Sequence, residues 1–309
     1  MLKRLTLTAI LTTLCIASTQ SFAAGEGWTE DYAAAKTQAA EQNKDLLLDF
    51  TGSDWCGWCI KLVEEVFSKD EFKTYADDHF VLVELDFPRD KSKISDETQA
   101  QNTKLQQQFG VRGFPTIILT DEEGRPYAKT GYQRGGPEAY VAHLEKLKSI
   151  RTQRDEHLAA AKDAEGIEKA KHLHAAMQAV GDDMATQHYK SIVDKIVELD
   201  AENEAGLKKH YQQIETAKLQ RQTIEKAMRS AQGDPQGTID TLEELAAAED
   251  TLTPIKQEAL ALKSRIQLVL IKDKAAAKQT LIEAIEIDAD SEMSKMLKQA
   301  LEQVFSDDA

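Results

Sequence analysis

Two cysteines, Cys56 and Cys59, stand three residues apart where a short apolar run gives way to a helical pattern. The run Asp45-Leu-Leu-Leu-Asp-Phe50 has the length and composition of a buried strand. Thr51-Gly-Ser-Asp54 is a cluster of turn residues, and from Cys59 to Phe67 apolar side chains recur at helical spacing: Leu62, Val63, Val66 and Phe67. A second apolar run, Phe80–Phe87, follows. A strand, one helix and a strand in this order make a βαβ unit, which requires a parallel sheet covered by helices. The cysteines therefore fall at the start of the crossover helix. Residues i and i+3 share a helix face and can be bridged by a disulfide. The free N–H groups and positive end of the helix favour a thiolate on the first cysteine. Cys56 is thus expected to attack, and Cys59, one turn in, to be more buried and to resolve the mixed disulfide.

The rest of the cysteine count agrees with reactivity. The chain has three cysteines, and Cys15 lies in an N-terminal segment that reads as a secretory signal. Lys3 and Arg4 precede an apolar stretch from Leu5 to Ala17, and Ser21-Phe22-Ala23 is a small-x-small cleavage pattern. The stretch is shorter than the roughly 20 apolar residues of a spanning helix. Residues 1–23 are expected to be removed, which places the rest in an exported compartment, most simply the periplasm. One remaining pair of cysteines is no disulfide scaffold, and a staple closing so small a loop stabilises little. Zinc needs four ligands, and no second cysteine pair or neighbouring histidine supplies them; haem attachment needs a histidine where Ile60 stands. No metal and no cofactor are expected. With 38 basic against 53 acidic side chains, the chain is also a poor partner for nucleic acid.

Before and after the motif the pattern continues. Residues 28–42 read as a helix with Thr29 as N-cap; residues 95–109 as a polar helix capped by Ser95 and stopped by Gly110. Thr116–Thr120 reads as a strand, Asp121-Glu-Glu-Gly124 as a hairpin turn and Tyr127–Tyr132 as the return strand. Pro137 lies near the start of a helix reaching Ile150 or beyond. After Ile150 only helical segments remain, broken at Glu165-Gly166, Gly181–Asp183, Asp200–Asn203, Gly233–Gly237 and before Pro254. Two turns resemble each other, Ile196–Asn203 and Ala284–Ser291, a weak sign of stacked helical hairpins of the tetratricopeptide kind; an irregular helical bundle fits equally. The expected organisation is a signal peptide (1–23), an α/β domain (24–150) and an all-α domain (151–309).

Residues 28–150 resemble the thioredoxin superfamily. Asp49–Cys59 looks like its exported bacterial members, and Val111-Arg-Gly-Phe-Pro-Thr116 matches its second signature, a cis-proline loop before a strand. The resemblance implies a cis Phe114–Pro115 bond, Pro115 facing the cysteines, and a substrate backbone pairing at Phe114. It also implies that Asp49, a buried acid before the motif, relays the proton of Cys59. Glu84 lies on the strand where many relatives carry a lysine; pointing inward, it raises Asp49 further, and pointing outward it is a surface charge. The expected catalytic set is Cys56, Cys59, Asp49 and Pro115. Trp55, Gly57, Trp58 and Phe114 are the expected substrate contacts, Trp58 foremost.

The function expected from these residues is an exported thiol–disulfide oxidoreductase, a reductase or an isomerase, acting on protein thiols and disulfides. A reductase in that compartment needs a membrane electron donor. The alternative is a partner-binding protein whose helical half recruits a specific protein and whose thioredoxin-like half serves mainly for docking.

Overall fold

The computed structural model describes residue 25 and residues 27–305; the signal-peptide reading lies outside them. A five-stranded sheet in the order β1-β3-β2-β4-β5 forms the frame. β1 (Trp28–Thr29), β3 (Phe80–Asp86) and β2 (Asp45–Thr51) run parallel; β4 (Thr116–Thr120) and β5 (Pro126–Thr130) are antiparallel. The parallel β2–β3 pair is the βαβ unit read from the sequence, and the β4–β5 hairpin turns at Gly124, whose φ of 83° suits glycine.

Alternation along the strands builds two cores. Leu47, Leu82, Ile117 and Leu119 face one side, against Leu62 and Phe67 near the motif and against Tyr140 and Leu144 of α5 (Gly136–Ala160). Leu46, Leu48, Phe50, Val83 and Ile118 face the other, against α1 (Tyr32–Gln42) and α4 (Asp96–Gln108). Ser95 caps α4 as expected, its hydroxyl accepting from Thr98 N.

Two local readings are corrected. Residues 28 and 29 are not the start of a helix but a two-residue strand paired with Leu82 and Val83, and Asp31 rather than Thr29 caps α1, its carboxylate accepting from Ala33 and Ala34. A carboxylate accepting two amide protons is the stronger cap. Between β2 and β3 there are two helical segments, not one. α2 (Gly57–Leu62) widens into a π-turn over Val63–Phe67, and α3 (Asp70–His79) follows, burying only Phe72 and Ala76.

The remainder of the described chain is helical: α6 (Gly166–Val180), α7 (Asp182–His188), α8 (Lys190–Leu199), α9 (Leu207–Ser230), α10 (Pro235–Ala247), α11 (Thr253–Ile266), α12 (Lys274–Ile287) and α13 (Glu292–Phe305). The chain forms two compact units, one comprising the residues up to His157 together with Ala176–His188, the other Leu158–Ala175 and everything from Tyr189. Within the first, α7 packs on the edge strand β5; Gln187 Nε2 donates to the Gln108 carbonyl at 3.2 Å and the His188 ring lies against Phe109. Within the second, successive helices from α8 to α13 pack on their neighbours, α9 to α11 around Ile224, Ile239, Leu242, Ile255 and Ile266, and α12 with α13 around Ala277, Leu281 and Phe305. The two similar turns close differently. The Asp200 carboxylate accepts from Ala205, Leu207 and Lys208 N–H, whereas buried Gln257 of α11 ties the second turn by donating to the Ala284 and Asp288 carbonyls.

Candidate active site

The turn between β2 and α2 is fastened to the exit of β3. Ser53 donates from its amide and hydroxyl to Asp86 at 2.8 and 2.6 Å, and Asp54 accepts from the Arg89 and Asp90 amides at 2.8 and 3.1 Å. These two amides, with Lys93 nearby, hold the Asp54 carboxyl down at about 2. Trp55 folds back over Gly52, and its indole donates to the Phe87 carbonyl at 2.8 Å. A Cβ on Gly52 would lie 2.6 Å from the Trp55 ring, so this close approach requires glycine.

Cys56 is the N-cap of α2 and is disulfide-bonded to Cys59, with Cα atoms 5.2 Å apart. Its sulfur accepts from Cys59 N at 3.2 Å, and its carbonyl from Ile60 N at 3.0 Å. Cys56 is 6 % exposed and Cys59 2 %. The amide field that holds the sulfur in this state is the one that would stabilise a Cys56 thiolate once the bond opens. Gly57 is the first helical residue, with open space where its side chain would be.

Asp49 lies in β2, 1 % exposed, with Glu84 of β3 and Ile117 of β4 as its register partners. Counting in twos from Leu47 and Leu82, both acids point to the face covered by α2, whose inward residues are Cys59 and Leu62. Glu84 therefore points inward, 3 % exposed. Burial, then the negative charges of Glu84 and Asp86, push the Asp49 carboxyl well above the ordinary carboxylate range. Asp49 Oδ1 has no hydrogen-bond partner among the described residues.

Two aromatic groups border the motif. Trp58, 52 % exposed, leans on Tyr132 with ring centroids 5.2 Å apart, while Lys61 Nζ sits 5.5 Å from the Trp58 ring and 5.6 Å from that of Tyr132. The Tyr132 hydroxyl donates to Glu65 at 2.5 Å, and Glu65 pairs with Lys61 at 3.5 Å. Trp55 meets Phe114 edge-on at 5.7 Å, and Phe114 in turn packs on Phe87 at 5.1 Å. The Phe114–Pro115 bond is cis. Thr116 closes this loop by donating to the Gly113 carbonyl at 2.8 Å, and a Cβ on Gly131 would come within 3.0 Å of the Pro115 carbonyl.

The structure thus brings Cys56, Cys59, Trp55 and Phe114 together at the carboxyl end of β2, with Asp49 on the same face of the sheet. Of the residues that brace this border, Glu65 reads in the sequence only as a solvated helix face, and Tyr132, Lys61 and Gly131 carry no site signal there. Lys61 and Glu65 carried an i,i+4 signal, whereas Tyr132 and Gly131 reach the site only through the β4–β5 hairpin. No group of three or more His, Cys, Asp or Glu side chains among the described residues is placed to hold a metal.

Residues 32–148 match the thioredoxin-like domain family. The chain is 38 % identical over 133 residues to the disulfide bond reductase DsbH of Chlamydia pneumoniae, spanning 43 % of this chain and 80 % of that protein. It is 33 % identical over 104 residues to the thioredoxin-related protein DsbJ of the same organism, spanning 34 % of this chain and 30 % of that one. Among solved structures, a DsbH oxidoreductase aligns at 34 % identity over 46 % of this chain and 94 % of its own, with a TM-score of 0.38. The oxidised C-terminal domain of Neisseria meningitidis DsbD aligns at 21 % identity over 37 % and 90 %, with a TM-score of 0.27. On the match to the thioredoxin-like domain, the identity across most of DsbH and the disulfide at the head of α2, the chain belongs to the thioredoxin superfamily and is a thiol–disulfide oxidoreductase.

Proposed function

We propose that this protein is an exported reductase of protein disulfides, working in the periplasm and recharged by a dithiol donor at the membrane. The observation that carries the direction is the pair of buried acids, Asp49 and Glu84, on the face of the sheet that α2 covers. Negative charge there disfavours a second anion at the cysteines. It destabilises the thiolate form of the reduced pair and favours the disulfide, so electrons tend to leave the enzyme for its substrate. The name of the DsbH relative, a disulfide bond reductase, points the same way.

In the cycle, the Cys56 thiolate attacks one sulfur of a substrate disulfide, and the other substrate sulfur leaves as a thiolate. Cys59 gives its proton to Asp49 and attacks Cys56 Sγ, which closes the Cys56–Cys59 bond and releases the second substrate sulfur. Trp58, braced by Tyr132 and Lys61, and Trp55 with Phe114 supply an apolar border for an extended segment of the substrate; Pro115 and Phe114 orient its backbone, and Gly57 leaves room for it. Residues 24–150 carry this chemistry, and residues 151–309 select the partner; stacked helices present the extended surface such selection needs. No helix among the described residues is long and apolar enough to cross a membrane.

The test is reduction of an unrelated protein disulfide, such as that of insulin, by catalytic amounts of the full chain with excess dithiothreitol. Turnover well above the uncatalysed rate is expected. A rate no greater than dithiothreitol alone would leave the docking reading in its place.

A further inference from the structure

Glu84 is the unusual residue of this site. A carboxylate buried beside another carboxylate is costly unless protons are shared between them, because two like charges at adjacent positions of neighbouring strands cannot both ionise freely. Asp49 and Glu84 are direct register partners, point to the same face and are 1 % and 3 % exposed. Further acidic groups lie around them. Asp86, two residues along β3, is acidic and engaged by Ser53; Tyr140 of α5 senses the Asp49 charge; α2 contributes Cys59; β4 contributes apolar Ile117. Beyond β1, Glu30 adds another acid that senses Asp86.

We propose that Glu84 is a positioning residue for the resolving step, forming with Asp49 a two-carboxyl proton store that makes Asp49 a base strong enough to accept the Cys59 proton. The proposal rests on Asp49 being the relay. The Cys59 S–H bond breaks and its proton passes to an Asp49 carboxylate oxygen. The Cys59 sulfur bonds to Cys56 Sγ, the bond from Cys56 to the substrate breaks, and the departing substrate thiolate takes a proton from water. Two electrons pass from the enzyme dithiol to the substrate. A neutral side chain at position 84 would leave Asp49 a weaker base and slow this step alone.

The test is the pH profile of the resolving step, followed in single turnovers of the reduced full-length protein with insulin. The rate rises with pH as Asp49 ionises. Glu84→Gln is expected to move this limb to lower pH by about one unit and to lower the plateau. Attack by Cys56, measured in the Cys59→Ser background, should not slow, because losing the Glu84 charge can only favour the Cys56 thiolate. A rate lowered equally at every pH, with the limb in place, would mean a purely structural role and overturn the proposal. Asp49→Asn separates the two claims. Loss of the limb in that variant upholds the relay, and its persistence overturns the relay itself. Should Glu84→Gln fail to fold, carboxyl-carbon NMR of the oxidised wild type decides. Asp49 and Glu84 are expected to show coupled, two-step titrations; independent single steps would refute the shared proton.

Discussion

Cys56→Ser is expected to abolish disulfide exchange, while Cys59→Ser should accumulate covalent complexes with substrate proteins. The asymmetry comes from α2. Cys56 is its N-cap, with its sulfur against the Cys59 amide and the free amide end of the helix, whereas Cys59 lies one turn in, 2 % exposed and facing the Asp49 side of the sheet. Only the first sulfur has both access and a field that stabilises its anion. Removing it takes away the nucleophile, and the expected loss is the whole catalysed rate above that of free dithiol. Removing the second leaves attack intact but deletes the intramolecular resolving thiol, so the mixed disulfide persists until external thiol arrives. Non-reducing gels of the two variants incubated with oxidised substrate check this: adducts for Cys59→Ser, none for Cys56→Ser. Adducts of Cys56→Ser forming at the wild-type rate would reverse the assignment.

The second large effect concerns stability and lies at the opposite end of the sheet. Arg154 of α5 is fully buried and reaches Asp121, also fully buried, at 2.9 Å. Asp121 follows β4 directly and also holds Arg125 at 2.7 Å. One helical turn before Arg154, Arg151 pairs with Asp45 at the start of β2 and with Glu122, and Tyr127 donates to Asp45 at 2.6 Å. This network anchors α5 to the base of the sheet. Arg154→Met removes one buried partner of Asp121 while Arg125 remains, so the expected cost is about 3 kcal/mol, the low end for a broken buried pair. Urea unfolding should show the loss in the transition of the first unit, with exchange per folded molecule unaltered. A loss below about 1 kcal/mol would mean that the pair contributes little. The same network bears on a chain cut at Ile150, which would lose Arg151 and Arg154 together and leave Asp45 and Asp121 short of partners in the interior.

The parts of the fold that the sequence discloses are those fixed by local chemistry. Three all-apolar or nearly apolar runs became β2, β3 and β4, Ser95 capped α4, and Gly124 turned the hairpin. The Cys56 motif could be read because its meaning depends on what immediately precedes and follows it. β1 is not legible in the sequence, because two residues carry no periodicity and Thr29 resembles a cap; its strand character comes only from pairing with Leu82 and Val83. α3 gives little signal in the sequence, because Phe72 and Ala76 are its only fully buried residues and most of it is polar. The direction of Glu84 could not be read either, since every residue of β3 is buried and the usual alternation of polar and apolar residues gives no signal there. It takes the register with Asp49 and the composition of the two cores to orient it. Arg154 looks like a surface charge on a helix until the helix is docked.

The reductase account places two acids on the face that carries Cys59 and therefore makes a direct claim about where electrons prefer to sit. The reduction potential of the Cys56–Cys59 couple, measured by equilibrating the full chain against glutathione or dithiothreitol buffers at neutral pH, tests it. The predicted value is a reducing one, in the region of about −270 mV that serves thioredoxin. A value near −120 mV, that of a strong disulfide donor such as DsbA, would contradict the account.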